Sequence, residues 1–199
     1  PVVIPVSPTS KDAESEGPKG QSQEGTPTFT GGKVTLNGKE VPVEIDEAVK
    51  PKFDDETTTK TVPNEGTYSI NPTTGEVTFE PLPTFTGKAQ GVTVNVTAKA
   101  TDASGKQLDV TSSATYKPEV TPIEPTATPA KTSGKQGQPQ KEDAKKMFHK
   151  GDDTAPIDNT TIRLVDPSGA EVTSLPAMKD GKEVGTYTVD ETTGKVTFT

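Results

Sequence analysis

The chain has 199 residues and a formal net charge of −8, with 27% hydrophobic and 5% aromatic residues, no Trp and no Cys. That balance excludes thiolate chemistry and disulfide scaffolds, and it disfavours nucleic acid, whose phosphates demand clustered Lys and Arg. No apolar run approaches the ~20 residues that cross a bilayer, so no membrane partner is expected.

Val, Ile, Leu and Phe together number 36, a share as low as that of many disordered chains. They are nevertheless gathered in patterned runs, which argues against disorder of the whole. The choice among apolar residues is informative: 34 Thr and 19 Val stand against 5 Leu. β-Branched side chains are stiff at χ1 and pack well on a pleated surface. With 18 Gly and 19 Pro as punctuation, the chain reads as all-β, made of short strands and turns.

In chain order, residues 1–25 form a Pro/Ser/Gln-rich leader, expected to be an extended spacer or edge segment. A β-sandwich repeat follows over 26–117. Within it, Asn37-Gly38 predicts a hairpin between "KVTL" and "KEVPV". Pro63-Asn64-Glu65-Gly66 leads into "TYSI", and Pro72-Thr73-Thr74-Gly75 turns back into "EVTF". In "GVTVNVTAKAT", Val92, Val94, Val96 and Ala98 alternate with Thr93, Asn95, Thr97 and Lys99, the period of a half-buried strand. Asp102-Ala103-Ser104-Gly105 then turns into "QLDVTSSATY". Residues 118–143 read as a second Pro/Thr-rich linker and 144–199 as a partial second repeat. That second repeat carries a turn at Asp166-Pro167-Ser168-Gly169 and lacks counterparts of the 80–117 strands. It is expected to be loosely folded or completed by another chain. No signal peptide or sorting signal is legible, and the chain reads as cut from the middle of a longer one.

An internal duplication organises the whole. "GTYSINPTTGEVTF", from Gly66 to Phe79, returns as "GTYTVDETTGKVTF", from Gly185 to Phe198. The opening recurs too, with Val3, Pro5, Pro8, Thr9, Gly20, Gln21 and Gln23 matching Val120, Pro122, Pro125, Thr126, Gly137, Gln138 and Gln140. The architecture predicted is a tandem of small Ig-like β-sandwich repeats with extended Pro-rich linkers.

These strings, with "EGTPTFTGG", "TATPA" and "IRLVDPSGAEVTS", resemble the CshA-type fibril repeat of streptococcal and related Gram-positive adhesins. The Gly-Thr-Tyr hairpin ending in Phe79 or Phe198 is its most specific element. The second unit departs from the pattern at "KEDAKKMFHKGDD" and "LPAMKDGKEV". The resemblance implies a secreted, wall-anchored polypeptide whose many repeats form a surface fibril, with host binding in a separate N-terminal region.

No active site is expected. His149 is the one histidine, set in a Lys-rich patch with no partner ligand, so no metal or cofactor site is assigned. Asp54, Asp55, Glu56, Asp152 and Asp153 read as solvated charge rather than a calcium loop. The sequons at Asn95 and Asn159 read as accidental among so many Thr residues. A Lys–Asn isopeptide cross-link has no nominated pair. Tyr68 and Tyr187 are expected to bury the ring and leave the hydroxyl at the rim, and Phe79 and Phe198 to be core, with Gly66 and Gly185 as structural glycines. The leading expectation is a non-enzymatic stalk repeat whose partners are neighbouring repeats. The alternative is a repeat that itself binds a host matrix protein, a glycan or sister fibrils, and a more distant reading is an accessory domain of a wall-bound enzyme.

Overall fold

The computed structural model describes residues 9–36 and 38–199, in two units that divide between Pro122 and Ile123. Matches of the leader at residues 1–8 and the Asn37 half of the expected hairpin turn lie outside the described residues.

In the first unit the strands are β1 (Thr9–Lys11), β2 (Ala13–Pro18), β3 (Gln23–Gly25), β4 (Thr28–Thr30), β5 (Gly32–Leu36), β6 (Lys39–Ile45) and β7 (Lys52–Phe53). They continue with β8 (Thr59–Val62), β9 (Gly66–Ile70), β10 (Val77–Pro81), β11 (Gly87–Lys88), β12 (Val92–Thr101) and β13 (Gln107–Thr121). A four-stranded sheet in the order β3-β10-β9-β8 packs on a larger one in the order β11-β13-β12-β6-β5, to which β2 and β7 also pair. Between the sheets lie Tyr68, Ile70, Val77 and Phe79 from one side and Val92, Val94, Tyr116 and Val120 from the other. Each such side chain contributes about 1.5–3 kcal/mol when fully buried, so a core this small still carries the unit.

Along β12 the expected alternation holds: Val92, Val94, Val96, Ala98 and Ala100 are buried and the residues between them are partly exposed. Short polar side chains close the turns. Asn71 Oδ1 accepts from the Thr73 and Thr74 N–H groups, and Gly75 takes φ 75°. Asp102 Oδ1 accepts from the Ser104 N–H, the Ser104 hydroxyl and the Lys106 N–H, with Gly105 at φ 81°. Such Asx geometry pre-forms the reversal before the strands zip.

The leader, expected as an extended spacer or edge segment, forms short strands. β1 pairs β4, β3 pairs β10, and β2 runs parallel to β13 from Ala13 opposite Tyr116 to Pro18 opposite Thr121. Residues 118–121, read as the start of a linker, are the end of β13, and Pro118 is fully buried. These segments contribute ladder hydrogen bonds more than apolar surface, which is why composition reads them as spacers.

The second unit comprises β14 (Thr126–Ala127), β15 (Gln140–Asp143), β16 (Phe148–His149), β17 (Leu164–Val165), β18 (Glu171–Val172), β19 (Ser174–Lys179), β20 (Lys182–Val189) and β21 (Lys195–Phe198). Its main sheet runs β15-β21-β20-β19. Two 3-10 turns, Ala144–Met147 and Asn159–Thr161, start at Asp143 and Asp158, whose carboxylates accept from the first turn. The core is slight: Ala144, Ile162 and Val189, flanked by Met147, Leu164 and Val196. Asp190 Oδ1 accepts from the Thr192 and Thr193 N–H groups, and Gly194 takes φ 69°, repeating the Asn71 turn. The registers repeat as well. Phe79 opposes Tyr68 and Gln23, while Phe198 opposes Tyr187 and Gln140.

Candidate functional site

The groups that sequence reasoning tested for chemistry are dispersed and locally satisfied. His149 Nε2 lies 2.9 Å from the Thr128 hydroxyl on an exposed strand pair. Asp55 Oδ1 accepts from the Thr57 hydroxyl and N–H, and that hydroxyl bond first, with the backbone bond, holds its carboxyl below the usual range. Asp54 pairs with Lys60 and Glu56 with Lys52, while Asp153 pairs with Lys150 at 2.9 Å. Among the described residues no group of three or more His, Cys, Asp or Glu side chains converges as a metal site would require. Asn95, of the first sequon, accepts from the Ser113 hydroxyl across the outer face of β12 and β13, and Asn159 opens a 3-10 turn.

The polar groups that are buried do something else: they tie segments together. Glu65 is only 4% exposed, at the tip between β8 and β9. Its carboxylate accepts from the Gln90 N–H at 2.7 Å, the Gly91 N–H at 3.3 Å and the Tyr68 hydroxyl. Its own carbonyl accepts from the Leu82 N–H. One side chain thereby fixes the β8–β9 turn to the loop that opens β12. A buried carboxylate persists only with such donors, since an unpaired one costs several kcal/mol. Burial first, and the Glu65 hydrogen bond second, push the Tyr68 hydroxyl far above the ordinary tyrosine range.

A second polar junction joins the leader to β13. The Ser15 hydroxyl donates to Gln23 Oε1 at 2.6 Å and lies 2.8 Å from the Tyr116 hydroxyl, which therefore donates to it. Gln23 Nε2 donates to the Glu119 carbonyl at 3.0 Å. Gln23 is 6% exposed, so the network satisfies a buried amide. Sequence reasoning missed both junctions. Glu65 sits in a turn that reads as solvent, and the recurrence of Gln23 as Gln140 was read as duplication without a role for the amide.

The aromatic residues divide by unit. Tyr68 and Phe79 are fully buried, their rings stacked with centroids 4.5 Å apart, and Tyr116 meets Tyr68 edge-on at 6.2 Å. In the second unit Phe198 is half-buried, but Tyr187 is 40% exposed, against the expectation of a buried ring. Its ring lies 5.0 Å from that of Phe198. In the first unit β12 and β13 lay Val92 and Tyr116 over the equivalent pair; among the described residues 123–199 nothing equivalent covers Tyr187. Gly66 and Gly185 serve one steric purpose. A Cβ at Gly66 would lie 2.3 Å from the Glu80 carbonyl oxygen and 2.7 Å from the Phe79 ring; at Gly185 it would lie 2.4 Å from the Phe198 ring.

Two copies of one hairpin-and-turn plan, built almost wholly of strands, define an all-β tandem repeat protein. The family model described as the surface adhesin CshA repetitive domain matches residues 5–120 and again 122–199, and the chain belongs to that family. It is also similar to repeat domain 13 of the fibrillar adhesin CshA from Streptococcus gordonii, solved by NMR. The identity is 45% over 36% of this chain and 85% of that one, with a TM-score of 0.17. No curated protein matches. The chain is thus a surface-adhesin repeat segment, of a class that works outside the cell.

Proposed function

We propose that the chain is a structural stalk segment, whose repeats hold a distal host-binding region away from the cell wall. The observation that carries this reading is that two family matches adjoin, ending at residue 120 and resuming at 122, so one unit follows another with no independent domain between them. Repeats in contact only with their neighbours add length without adding a site. The buried polar groups support the reading, because Glu65 and Gln23 bind the chain to itself. Neighbouring repeats are the principal partners, and attachment to the wall is made through another part of the polypeptide.

The test is a graded series of the parent adhesin with repeats removed, imaged on the cell surface. Fibril length should fall by a constant step per repeat while ligand binding by the distal region is kept. Unchanged length would refute spacing.

A second reading, binding of a host matrix protein, a glycan or sister fibrils by the repeat itself, is favoured by one feature. The outer face of β12 and β13 presents hydroxyl and amide side chains in cross-strand register, Asn95 with Ser113 and Thr97 with Thr111. Saturable binding of a purified matrix glycoprotein, abolished by Thr→Val changes on that face, would establish it.

A further inference from the structure

From Ser10 to Lys19 the leader follows β13 in one direction and one register. β2 pairs β13 in parallel, from Ala13 opposite Tyr116 to Pro18 opposite Thr121. The same offset, 103 residues, holds before the ladder begins, where side chains stand in for strand pairing. The Ser10 hydroxyl donates to the Ser113 carbonyl at 2.9 Å, and the Asp12 carboxylate accepts from the Thr115 N–H at 2.7 Å. At the far end the Lys19 N–H donates to the Thr121 carbonyl at 2.9 Å, and the Thr121 hydroxyl donates to the Gly17 carbonyl at 3.2 Å.

The parallel sense of this pair decides how a pull reaches it. The chain enters β2 at Ala13 and leaves β13 at Thr121, so entry and exit lie at opposite ends of the ladder. A pull between the two is drawn along the strands, and the ladder bonds bear it together. Antiparallel terminal strands would place entry and exit at one end, and the bonds would open one by one. β13 also cannot slide without drawing its inward side chains out of the core, since Tyr116, Pro118 and Val120 are fully buried on one face. The Tyr116 ring is seated so closely that a Cβ at Gly25 would lie 2.3 Å from it. β1, three residues long and exposed throughout, yields early and passes the load to β2.

We infer that β2 and β13 form a tension clamp, which resists a pull along the polypeptide by shear of the whole pair, with the side chains of Ser10 and Asp12 extending the fastening beyond the ladder. The clamp goes beyond spacing, because a spacer needs only length. It holds whether the repeats space or bind.

The test is single-molecule pulling on the full chain, which has no Cys of its own to compete with introduced handles. One placement grips the N-terminal amine and Ile123→Cys, loading the pair from opposite ends. The other grips Ser22→Cys and Ile123→Cys, exposed positions shortly after Pro18 and Thr121, and loads the same pair from one end. The second unit follows the Ile123 handle and bears no load in either. Forced unfolding is governed by the barrier to opening, so the first placement should need at least about threefold more force at equal loading rate. Asp12→Ala, at an exposed position, should lower the opposite-end force and spare the same-end force. Val43→Ala, which leaves a cavity in the separate cluster of Val43, Ala98 and Ala100, should lower the denaturant midpoint and spare both forces. Equal forces in the two placements overturn the clamp, and they decide it without any change inside the pair. An opposite-end force that falls as far with Val43→Ala as with Asp12→Ala overturns it too, and no fall with Asp12→Ala overturns the side-chain fastening. Fibrils that shorten with each repeat removed, together with equal forces, would keep the spacer and reject the clamp.

Discussion

Glu65 and Gly66 are adjacent and indispensable for different reasons. Glu65→Ala strands the Gln90 N–H, the Gly91 N–H and the Tyr68 hydroxyl away from water, and should cost the first unit about 2–4 kcal/mol, read from the denaturant midpoint. Glu65→Gln keeps one acceptor oxygen and should lose less. Gly66→Ala meets a backbone carbonyl rather than a yielding side chain, so its cost should reach about 3 kcal/mol, the upper end for overpacking. The tyrosines supply a pH dependence. Burial raises the hydroxyl of Tyr68, and of Tyr116, above the ordinary range. In the unfolded chain they ionise near pH ~10. Above that pH the unfolded state binds fewer protons than the folded one, so stability present below pH ~10 is lost as pH rises further. A tyrosinate absorbance titration should show these two protected until the first unit unfolds. Tyrosinate formation by Tyr68 or Tyr116 at pH ~10 in the folded chain would contradict their burial.

At the scale of elements, the leader is the decisive case. A chain beginning at residue 26, where composition places the start of the repeat body, lacks β1, β2 and β3. It leaves Tyr116 to Thr121 without their parallel partner and Tyr116 without Ser15. Such a chain should lose amide dispersion and protease resistance in the first unit, whereas the chain that keeps residues 1–25 should retain both. The hairpins and turns were legible because local chemistry specifies them. Asn71 and Asp190, each four residues before its glycine, Gly75 or Gly194, accept equivalent backbone donors, and β12 alternates with a period that only a half-buried strand explains. The strands of the leader were not legible, because their alternation is one of partial against full exposure among Glu, Ser and Gly. Parallel pairing between residues about a hundred positions apart leaves no local mark. The exposure of Tyr187 was hidden for a related reason: the same Gly-Thr pair precedes Tyr68 and Tyr187, and their difference lies in Val184 standing where Glu65 stands and in what β12 and β13 lay across Tyr68.

For the whole molecule, the acid side of stability is shared by both units. Asp102 and Asp166 are held below the usual carboxylate range, first by the Ser104 and Ser168 hydroxyls and then by backbone N–H groups. Depressed native values mean that the unfolded chain takes up protons first, so this contribution is present above pH ~4 and lost as pH falls below it. The two cores differ in size, nine buried hydrophobic residues in the main cluster of the first unit against three in the second. Heating should therefore melt the second unit first, in a calorimetric trace with two transitions; a single concerted one would mean that the units share a core. The central claim, that successive repeats set distance, is tested most directly by small-angle scattering of this chain in dilute solution. A single globule of 199 residues has a radius of gyration of about 16 Å. Spacing repeats require a value well above that and a distance distribution with a long tail, and a value near 16 Å with a symmetric distribution would contradict them.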